Sequence, residues 1–598
     1  MAQSGSHRTI EGVKTSSTYI FNSFKKKFDQ LRSSYQDVNK LLRFGVDYDA
    51  AKKTAVEFFG SDSVKYIAID GTTAYDEELD LLVFYVGAFT YKGLVRFTSD
   101  NSTADEPEPV EDTGVSAAIP LSEEDAASVF GQSTQAGIEV DVERLPSSIM
   151  HLAEYYLAYK AIESDKDVKI ILLDRTLAGD MGHLVWSTKE VIDEHASILE
   201  GMDTPYGKVS NFDLQLARML LANQSAGIPP ARSQFIEYAA LLKLMDESQL
   251  SIPQLLGRLR INPAYGPKLQ KEFGRLENDF HIFEQVFNFK LKKEVHDYWN
   301  RVMHAAKSTA EHVFNTDKGH PLRISKEGHE EWIKADDLDF ITLLLIYYLA
   351  RESWNRNILP IGITKDTSAA ELIKTVVPLL RSSRLLQISL PNFDSDKMLL
   401  QTNSVINSEH VPTPWHSIDI DAAFRTMAPG DDASLPKGEA KVRGAYKNII
   451  SQERTFVKCY MQLWSSSNNP SVRSHVFTFD RPVYSRYDHW NELTLHHFDN
   501  KIDNKIHPVL HLSNESRMTN LCIAILSSMA GDVIPEALGH NYPLFLADKK
   551  AKAVLEENRN AYLAALALEM RKSDLDQQVL FSTSFRDYRS KIESERRK

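Results

Sequence analysis

The sequence has 598 residues, of which 42% are hydrophobic and 25% charged. This is too long for one compact core and too apolar for a disordered chain, so we expect several domains or one domain with large insertions. The formal net charge of −13 argues against a dedicated sequence-reading DNA binder, a class that is usually basic. Two isolated cysteines, Cys459 and Cys522, exclude a disulfide framework and indicate a reducing compartment.

The N-terminal segment, residues 1–60, reads as helical because Phe21, Phe24 and Phe28 recur at helical spacing. Three lysines at 25–27 lie on the same element, where they form either a solvated face or a contact to DNA. The first twelve residues contain no apolar stretch of the signal-peptide type. Because even the most apolar run, 340–350, is too short to span a bilayer, we expect a cytoplasmic protein without membrane contact.

Residues 61–189 predict the first part of an α/β core. The runs VKYIAI (64–69) and LLVFYVGAF (81–89) have the β-branched and aromatic content of buried strands. Residues 99–143 differ, since they are rich in acidic residues and contain no Lys or Arg. This composition predicts a solvated acidic loop, with an autoinhibitory mimic of DNA as the alternative.

Further along, the pattern predicts a helix over 147–162 and a strand over 168–173. Residues 190–350 read as one large helical insertion, and residues 351–570 read as the second part of the core. The basic segment 571–598 predicts a frayed C-terminal tail. Within the second part of the core we expect strands over 357–363, 455–463 and 475–480 and a helix over 547–568.

Two of the predicted strands end in the same way, VKYIAI at Asp70 and VKIILL at Asp174. The carboxyl edge of an open α/β sheet is where sites form, so neighbouring strands would direct both carboxylates toward one point. A divalent cation relieves the repulsion between two such groups, and oxygen ligands favour magnesium or manganese. The alternative is that each aspartate simply starts a turn.

Two further residues fit an acidic phosphodiester-cleaving site. Glu154 has Met150, Leu157 and other apolar residues as its helical neighbours, so its carboxylate is either paired or metal-bound, or it reaches water at the helix edge. Lys365 follows an apolar strand and could neutralise a phosphate, or it is an exposed loop lysine.

These pieces, in this order, resemble the NurA nuclease family. The resemblance extends over most of residues 60–180 and 355–560. The matching motifs are IAIDGT with Asp70, HLAEYYLAYK with Glu154, LLDRTL with Asp174, GITK with Lys365, the strand pair FVKCYMQLW and HVFTFDRPVY, and GHNYPLFLADKKA near the C-terminus.

The resemblance implies a ribonuclease-H-like mixed sheet, a homodimer, and manganese- or magnesium-dependent cleavage of DNA. It also implies a hexameric HerA-type ATPase as partner, in DNA-end processing and repair or in defence against phage. Asp70, Glu154 and Asp174 would bind the metal, and Lys365 would stabilise the transition state. From the last motif, Asp548 would complete the acidic cluster or cap its helix, and His540 would contact the scissile phosphate or donate a proton.

The chain departs from the family pattern after Asp174, where Arg175 and Thr176 replace the usual Gly-Ser. A rival interpretation is therefore a catalytically degenerate structural or regulatory subunit of a HerA-type complex, and a nuclease acting on RNA is a third. Zinc at the histidine-rich stretch 496–511 is disfavoured because Pro508 interrupts the helical spacing. No phosphate-binding GxxxxGK[ST] loop is present, so we do not expect ATP hydrolysis by this chain.

Overall fold

A computed structural model gives the conformation of residues 4–78, 81–110, 114–122, 125, 138–218, 236–259, 261–315, 319–326, 328–430, 434–444, 455–488, 492–497, 505–513, 516–531 and 539–572. In these residues the centre of the molecule is a twelve-stranded mixed sheet. Its strands are β1 Leu42–Phe44, β2 Ser63–Glu78, β3 Leu81–Phe97, β4 Ser102–Ala104, β5 Glu108–Pro109, β6 Val115–Ser122, β7 Val168–Leu173, β8 Leu359–Thr364, β9 Trp415–Ser417, β10 Ile420–Asp421, β11 Phe456–Gln462 and β12 Phe477–Pro482.

The strands lie side by side in the order β1-β9-β11-β12-β8-β7-β2-β3-β4, with β10 on β11 and both β5 and β6 on β3. The pairs β2–β7 and β7–β8 are parallel, whereas β3 is antiparallel to both β2 and β6. Taking β2, β3, β6, β7 and β8 as first to fifth, the spatial order is third, second, first, fourth, fifth. This is the ribonuclease-H-like arrangement, and the predicted mixed α/β class is confirmed.

Three predictions in this part of the chain need correction, the first being the strand over 81–89, which extends to Phe97 as β3. The strand predicted to end at Asp70 continues to Glu78, because β3 pairs with it along its whole length, from Ser63 opposite Arg96 to Glu78 opposite Leu81. Asp70 therefore lies inside a strand and does not start a turn. The acidic segment 99–143 is not a plain loop either, since β4, β5 and β6 lie within it and cover the outer edge of β3.

Helices pack on both faces of the sheet. They are α1 Ser4–Asn39, α2 Tyr48–Phe59, α3 Ile138–Ser164, α4 Leu177–Ser187, α5 Lys189–Asp193, α6 Asn211–Arg218, α7 Ile236–Glu247, α8 Ile252–Arg258, α9 Gly266–Phe280, α10 Tyr298–Asn315, α11 Ala335–Arg356, α12 Val377–Ser382, α13 Asp396–Ile406, α14 Ser485–Asp488, α15 Arg517–Ser528 and α16 Tyr542–Lys572.

The remaining elements are short. Single helical turns lie at Pro263–Tyr265, Lys293–Asp297, Leu372–Val376 and Ala422–Thr426. Strand pairs form between Asp203–Thr204 and Gly207–Lys208, Phe283–Gln285 and Lys290–Leu291, and Arg323–Lys326 and His329–Trp332. A separate four-stranded sheet contains Met427–Gly430, Glu439–Gly444, Thr494–His497 and Lys505–Ile506.

Most of the described residues between 190 and 350 are in helices, and their buried side chains join the core of the central sheet. Phe273 of α9 and Leu344 of α11 belong to the same buried cluster as Ile69 of β2 and Leu173 of β7. Burial of both faces explains why the central strands read as continuous apolar runs.

The C-terminal helix α16 begins at Tyr542, before the predicted start at 547. Of the predicted basic tail, residues 573–598 lie outside the described part of the chain. No helix in the described ranges is long and apolar enough to cross a membrane.

Candidate functional site

Asp70 in β2 and Asp174 directly after β7 occupy neighbouring positions at the two central parallel strands. Ile69 of β2 and Leu173 of β7 are register partners, so the aspartate that follows each occupies the adjacent position on its own strand. Asp174 comes directly after the end of β7, at the carboxyl edge of the parallel strands. β2 and β7 are parallel neighbours, which is the condition under which the sequence argument expects the two carboxylates to share one place.

The electrostatics of the pair are those of crowded, buried anions. Burial raises the pKa of Asp70 well above its ordinary value, and the charges of Asp174, Glu154 and Asp548 raise it further. Burial also raises the pKa of Asp174, although the positive charge of Lys365 opposes this. A cation at this point would relieve the repulsion and the desolvation together.

Glu154, on α3, reaches the same region but already has a partner. Its Oε2 accepts a hydrogen bond from Nη1 of Arg175 at 2.5 Å, and both side chains are nearly fully buried. Arg175 also donates from Nε to Asp180. Burial raises the pKa of Glu154 to about 7, with the charge of Arg175 acting in the opposite direction.

Gly71 makes the approach of Glu154 to β2 possible. A Cβ atom at this position would lie 2.6 Å from Oε1 of Glu154 and 3.0 Å from Cγ of Met150. The glycine that followed Asp70 in the sequence is therefore needed for close packing, and not for a turn.

Lys365 and Asp548 complete the surroundings of the two central aspartates. The Nζ of Lys365 lies 3.3 Å from Oδ2 of Asp174, and its side chain is 39% exposed. Asp548, on α16, forms an ion pair with Lys552 at 2.8 Å. The alternative that Asp548 caps its helix is wrong, because Asn541 accepts the hydrogen bond from Leu544 N at the helix start.

His540 lies near Lys365 in a buried position. Its ring stacks on Phe477, with the centroids 5.4 Å apart. Burial lowers the pKa of His540 to about 3, and the charge of Lys365 lowers it further. The imidazole is therefore neutral near pH 7, which argues against a role as proton donor.

Asp480, at the end of the sequence motif HVFTFD, was given no role by sequence reasoning. Its carboxylate accepts hydrogen bonds from Oγ1 of Thr176 at 2.7 Å, Leu177 N at 3.0 Å and Ala178 N at 2.9 Å. It thereby fixes the turn that follows Asp174 and the start of α4. An aspartate at the end of an apolar strand was the available signal, but its partners are about 300 residues away along the chain.

Carboxylate oxygens are the ligands that Mg²⁺ and Mn²⁺ prefer, and the Asp70–Asp174 pair fits such an ion by its chemistry and its charge. Glu154 is committed to Arg175, and Asp548 is partly neutralised by Lys552. Within the described ranges, no three His, Cys, Asp or Glu side chains form a ready-made metal site, at the acidic cluster or at the late histidines.

The fold and site thus define an α/β protein with a buried acidic pair, Asp70 inside β2 and Asp174 at the carboxyl end of β7. Among solved structures, the chain is similar to the NurA nuclease from Sulfolobus solfataricus, with 11% identity, a TM-score of 0.36, and coverage of 96% of this chain and 98% of that one. It is also similar to NurA with manganese, with 12% identity, a TM-score of 0.34, and coverage of 92% and 98%. A third structure, NurA bound to dAMP and manganese, has 12% identity, a TM-score of 0.32, and coverage of 91% and 93%.

No model of a known protein family matches the sequence, and no curated protein matches it.

Proposed function

We propose that this chain is a divalent-metal-dependent nuclease that cleaves phosphodiester bonds in DNA. The observation that carries the proposal is the adjacent placement of Asp70 and Asp174 on β2 and β7, with the pKa of each raised by burial. Structural ion pairs normally combine opposite charges, whereas this site gathers like charges at a strand edge, which is typical of a metal-dependent active site.

Asp70 and Asp174 would hold Mn²⁺ or Mg²⁺ through their carboxylate oxygens, with Asp548 nearby. When bound, such an ion supplies Lewis-acid activation of water and stabilises charge on the phosphodiester. Lys365 places a further positive charge beside Asp174, where it would neutralise the negative charge that develops on the phosphate. Glu154 and Arg175 orient this edge of the site as a pair.

Backbone contacts carry no sequence information, so we expect cleavage of DNA ends or single strands with little dependence on base sequence. The test is the purified protein incubated with labelled single-stranded DNA, double-stranded DNA and RNA, with Mn²⁺ or with EDTA. We expect Mn²⁺-dependent loss of DNA and its abolition by Asp70→Ala. Asp100→Ala, at an exposed aspartate before β4, is the matched control.

The rival function, a catalytically degenerate subunit of an ATPase complex, predicts no cleavage with or without the ATPase and no effect of Asp70→Ala. Preferential loss of the labelled RNA would instead indicate a nuclease that acts on RNA. The two rivals are thus separated from the nuclease proposal by one set of substrates and one variant.

We also propose that the chain forms a homodimer and works with a hexameric HerA-type ATPase. An exposed apolar face on α1 supports an intermolecular contact, since Phe21, Phe24 and Phe28 share one side of the helix and are 64%, 53% and 39% exposed. The test is the double variant Phe21→Ser/Phe24→Ser, compared with wild type by light scattering and by capture of a co-expressed ATPase. An unchanged mass and unchanged capture would remove α1 from both contacts.

A further inference from the structure

A cavity of about 620 Å³ lies beside the acidic cluster. Its wall includes Thr176, two residues after Asp174, and Thr364, which directly precedes Lys365. The cavity therefore begins where β7 and β8 end, and extends from there toward the segment 367–375. Its volume is within the range of roughly 300–1,000 Å³ that is usual for small-ligand pockets.

The charge of the cavity is opposite to that of the chain as a whole. Three cationic side chains line it, Lys374, Arg425 and Lys458, against one carboxylate, Glu371. The Nζ of Lys458 is 3.2 Å from Oε2 of Glu371, so these two charges largely offset each other. Lys374 and Arg425 bring the cationic side chains of the lining to three against one carboxylate, in a protein whose net charge is −13, and a lining richer in cations than in carboxylates attracts anions.

The rest of the lining is suited to oxyanions and not to bases. Hydroxyl groups are contributed by Thr176, Thr364, Thr478 and three further serine or threonine residues. Among the described residues that line the cavity there is no aromatic side chain on which a nucleobase could stack. Cations and hydroxyls together are the groups that proteins use to bind the phosphates of a nucleic-acid backbone.

We propose that this cavity binds a backbone phosphate of a nucleic-acid strand whose neighbouring phosphodiester lies at the acidic cluster. The inference rests on the proposed nuclease function, which brings a strand to Asp70 and Asp174. Because Thr176 and Thr364 connect the two places, one strand can occupy both. Recognition in the cavity is of the phosphate and is independent of base sequence.

The test measures binding without cleavage. The affinity of a short fluorescent single-stranded oligodeoxynucleotide is measured in EDTA with the Asp70→Asn protein as parent. Lys374→Ala and Arg425→Ala, both at exposed side chains, are added to that parent. Each is expected to weaken binding on the order of tenfold, the scale of one lost charged hydrogen bond. Each should also reduce the slope of log Kd against log salt concentration by about 0.7, for any base sequence.

Lys374→Arg is expected to retain most of the affinity, because it keeps the charge. Lys271→Ala, at an exposed lysine of α9, removes the same charge elsewhere and is expected to leave the affinity unchanged. The proposal is overturned if Lys374→Ala and Arg425→Ala bind the oligonucleotide as tightly as their parent does. Thermal melting of each variant checks that it is folded.

A pocket for free inorganic phosphate would have the same kind of lining. A second experiment therefore distinguishes free phosphate from a nucleic-acid strand as the ligand. If inorganic phosphate raises the melting temperature through Lys374 while oligonucleotide affinity is insensitive to Lys374, the strand assignment is overturned. The nuclease proposal is assessed separately, by cleavage with the unmutated protein. A strand that binds through Lys374 and Arg425 but is never cut would keep this inference and defeat the proposed function.

Discussion

Arg175 binds the carboxylate of Glu154 on one side and that of Asp180 on the other, within a nearly fully buried network. The position at which the sequence departs from the NurA pattern thus carries the cation that neutralises one of the predicted metal ligands. A guanidinium at this point supplies a fixed positive charge beside the Asp70–Asp174 pair. We infer that Glu154 is available to a metal ion only when Arg175 releases it.

The first prediction concerns this pair. Arg175→Ala leaves a buried, unpaired carboxylate, so the metal-free variant should lose about 3–5 kcal/mol of unfolding free energy. Because Glu154 is then available as a ligand, Mn²⁺ should raise the melting temperature more in Arg175→Ala than in wild type. Thermal melting with and without Mn²⁺ measures both effects.

The control is the double variant Glu154→Gln/Arg175→Met, which removes both charges. It should be less destabilised than Arg175→Ala and should lose the extra response to Mn²⁺, since the two residues are coupled. An equal Mn²⁺ response in wild type and Arg175→Ala would show that Glu154 does not reach the ion.

The second prediction is that Asp70→Asn stabilises the metal-free protein while abolishing cleavage. Burial raises the pKa of Asp70 above its value in the unfolded chain. At pH values between the unfolded pKa and the folded pKa, the folded state therefore binds more protons than the unfolded state. Stability contributed by this group therefore falls as pH rises above about 4. The asparagine keeps the Oδ1 acceptor for Gly71 N and does not ionise.

At neutral pH the gain should be on the order of 1 kcal/mol, and it should shrink as the pH is lowered toward 4. Chemical denaturation in EDTA at several pH values measures it. Asp100→Asn, at an exposed aspartate, serves as the matched control and should show no such trend. A destabilised Asp70→Asn protein at neutral pH would contradict the view that Asp70 is an uncompensated buried anion.

The central part of the fold was accessible from the sequence because it depends on local patterns. β7 was predicted with its observed bounds, since burial of both faces makes VKIILL uniformly apolar. The extension of β2 past Asp70 was not predicted, because residues 71–78 are mostly polar and are held in the strand by pairing with β3. β4 to β6 were missed because the acidic residues around them in 99–143 indicate a loop, although β6 itself (VSAAIPLS) contains none and covers an otherwise open edge.

The same distinction between local patterns and long-range contacts applies to the candidate site. The adjacency of Asp70 and Asp174 follows from neighbouring parallel strands that carry similar motifs, although only β7 ends at its motif. The hydrogen bonds of Asp480 to the turn after Asp174 join residues about 300 positions apart, and no periodic pattern contains that information. The pairing of Arg175 with Glu154 depends on how α3 packs on β2, which the sequence alone does not determine.

The third prediction uses Gly71. In Gly71→Ala the new methyl group would meet the Glu154 carboxylate and the Met150 side chain at 3.0 Å or less. The substitution should cost about 1–3 kcal/mol, and it should reduce cleavage because it displaces α3 from the acidic pair. Gly274→Ala is the control, since nothing lies within 4 Å of its Cβ position on α9. That control should gain up to about 1 kcal/mol of stability from helix propensity alone, and full activity in Gly71→Ala would contradict the close-packing argument.

The fourth prediction concerns Lys365, whose Nζ is 3.3 Å from Asp174 and whose side chain is 39% exposed. Because it is not buried, Lys365→Met should fold normally, yet loss of its charge beside the phosphate should lower kcat roughly 10²- to 10³-fold. Its charge also lowers the pKa of Asp174, so its removal should move the acidic limb of the pH–rate profile to higher pH. Lys365→Arg should restore part of the rate and most of the pH profile, and Lys271→Met should leave both unchanged. If Lys365→Met has the wild-type rate but a shifted pH–rate profile, Lys365 acts only on the pKa of Asp174. If neither the rate nor the pH–rate profile changes, Lys365 has no role in the site.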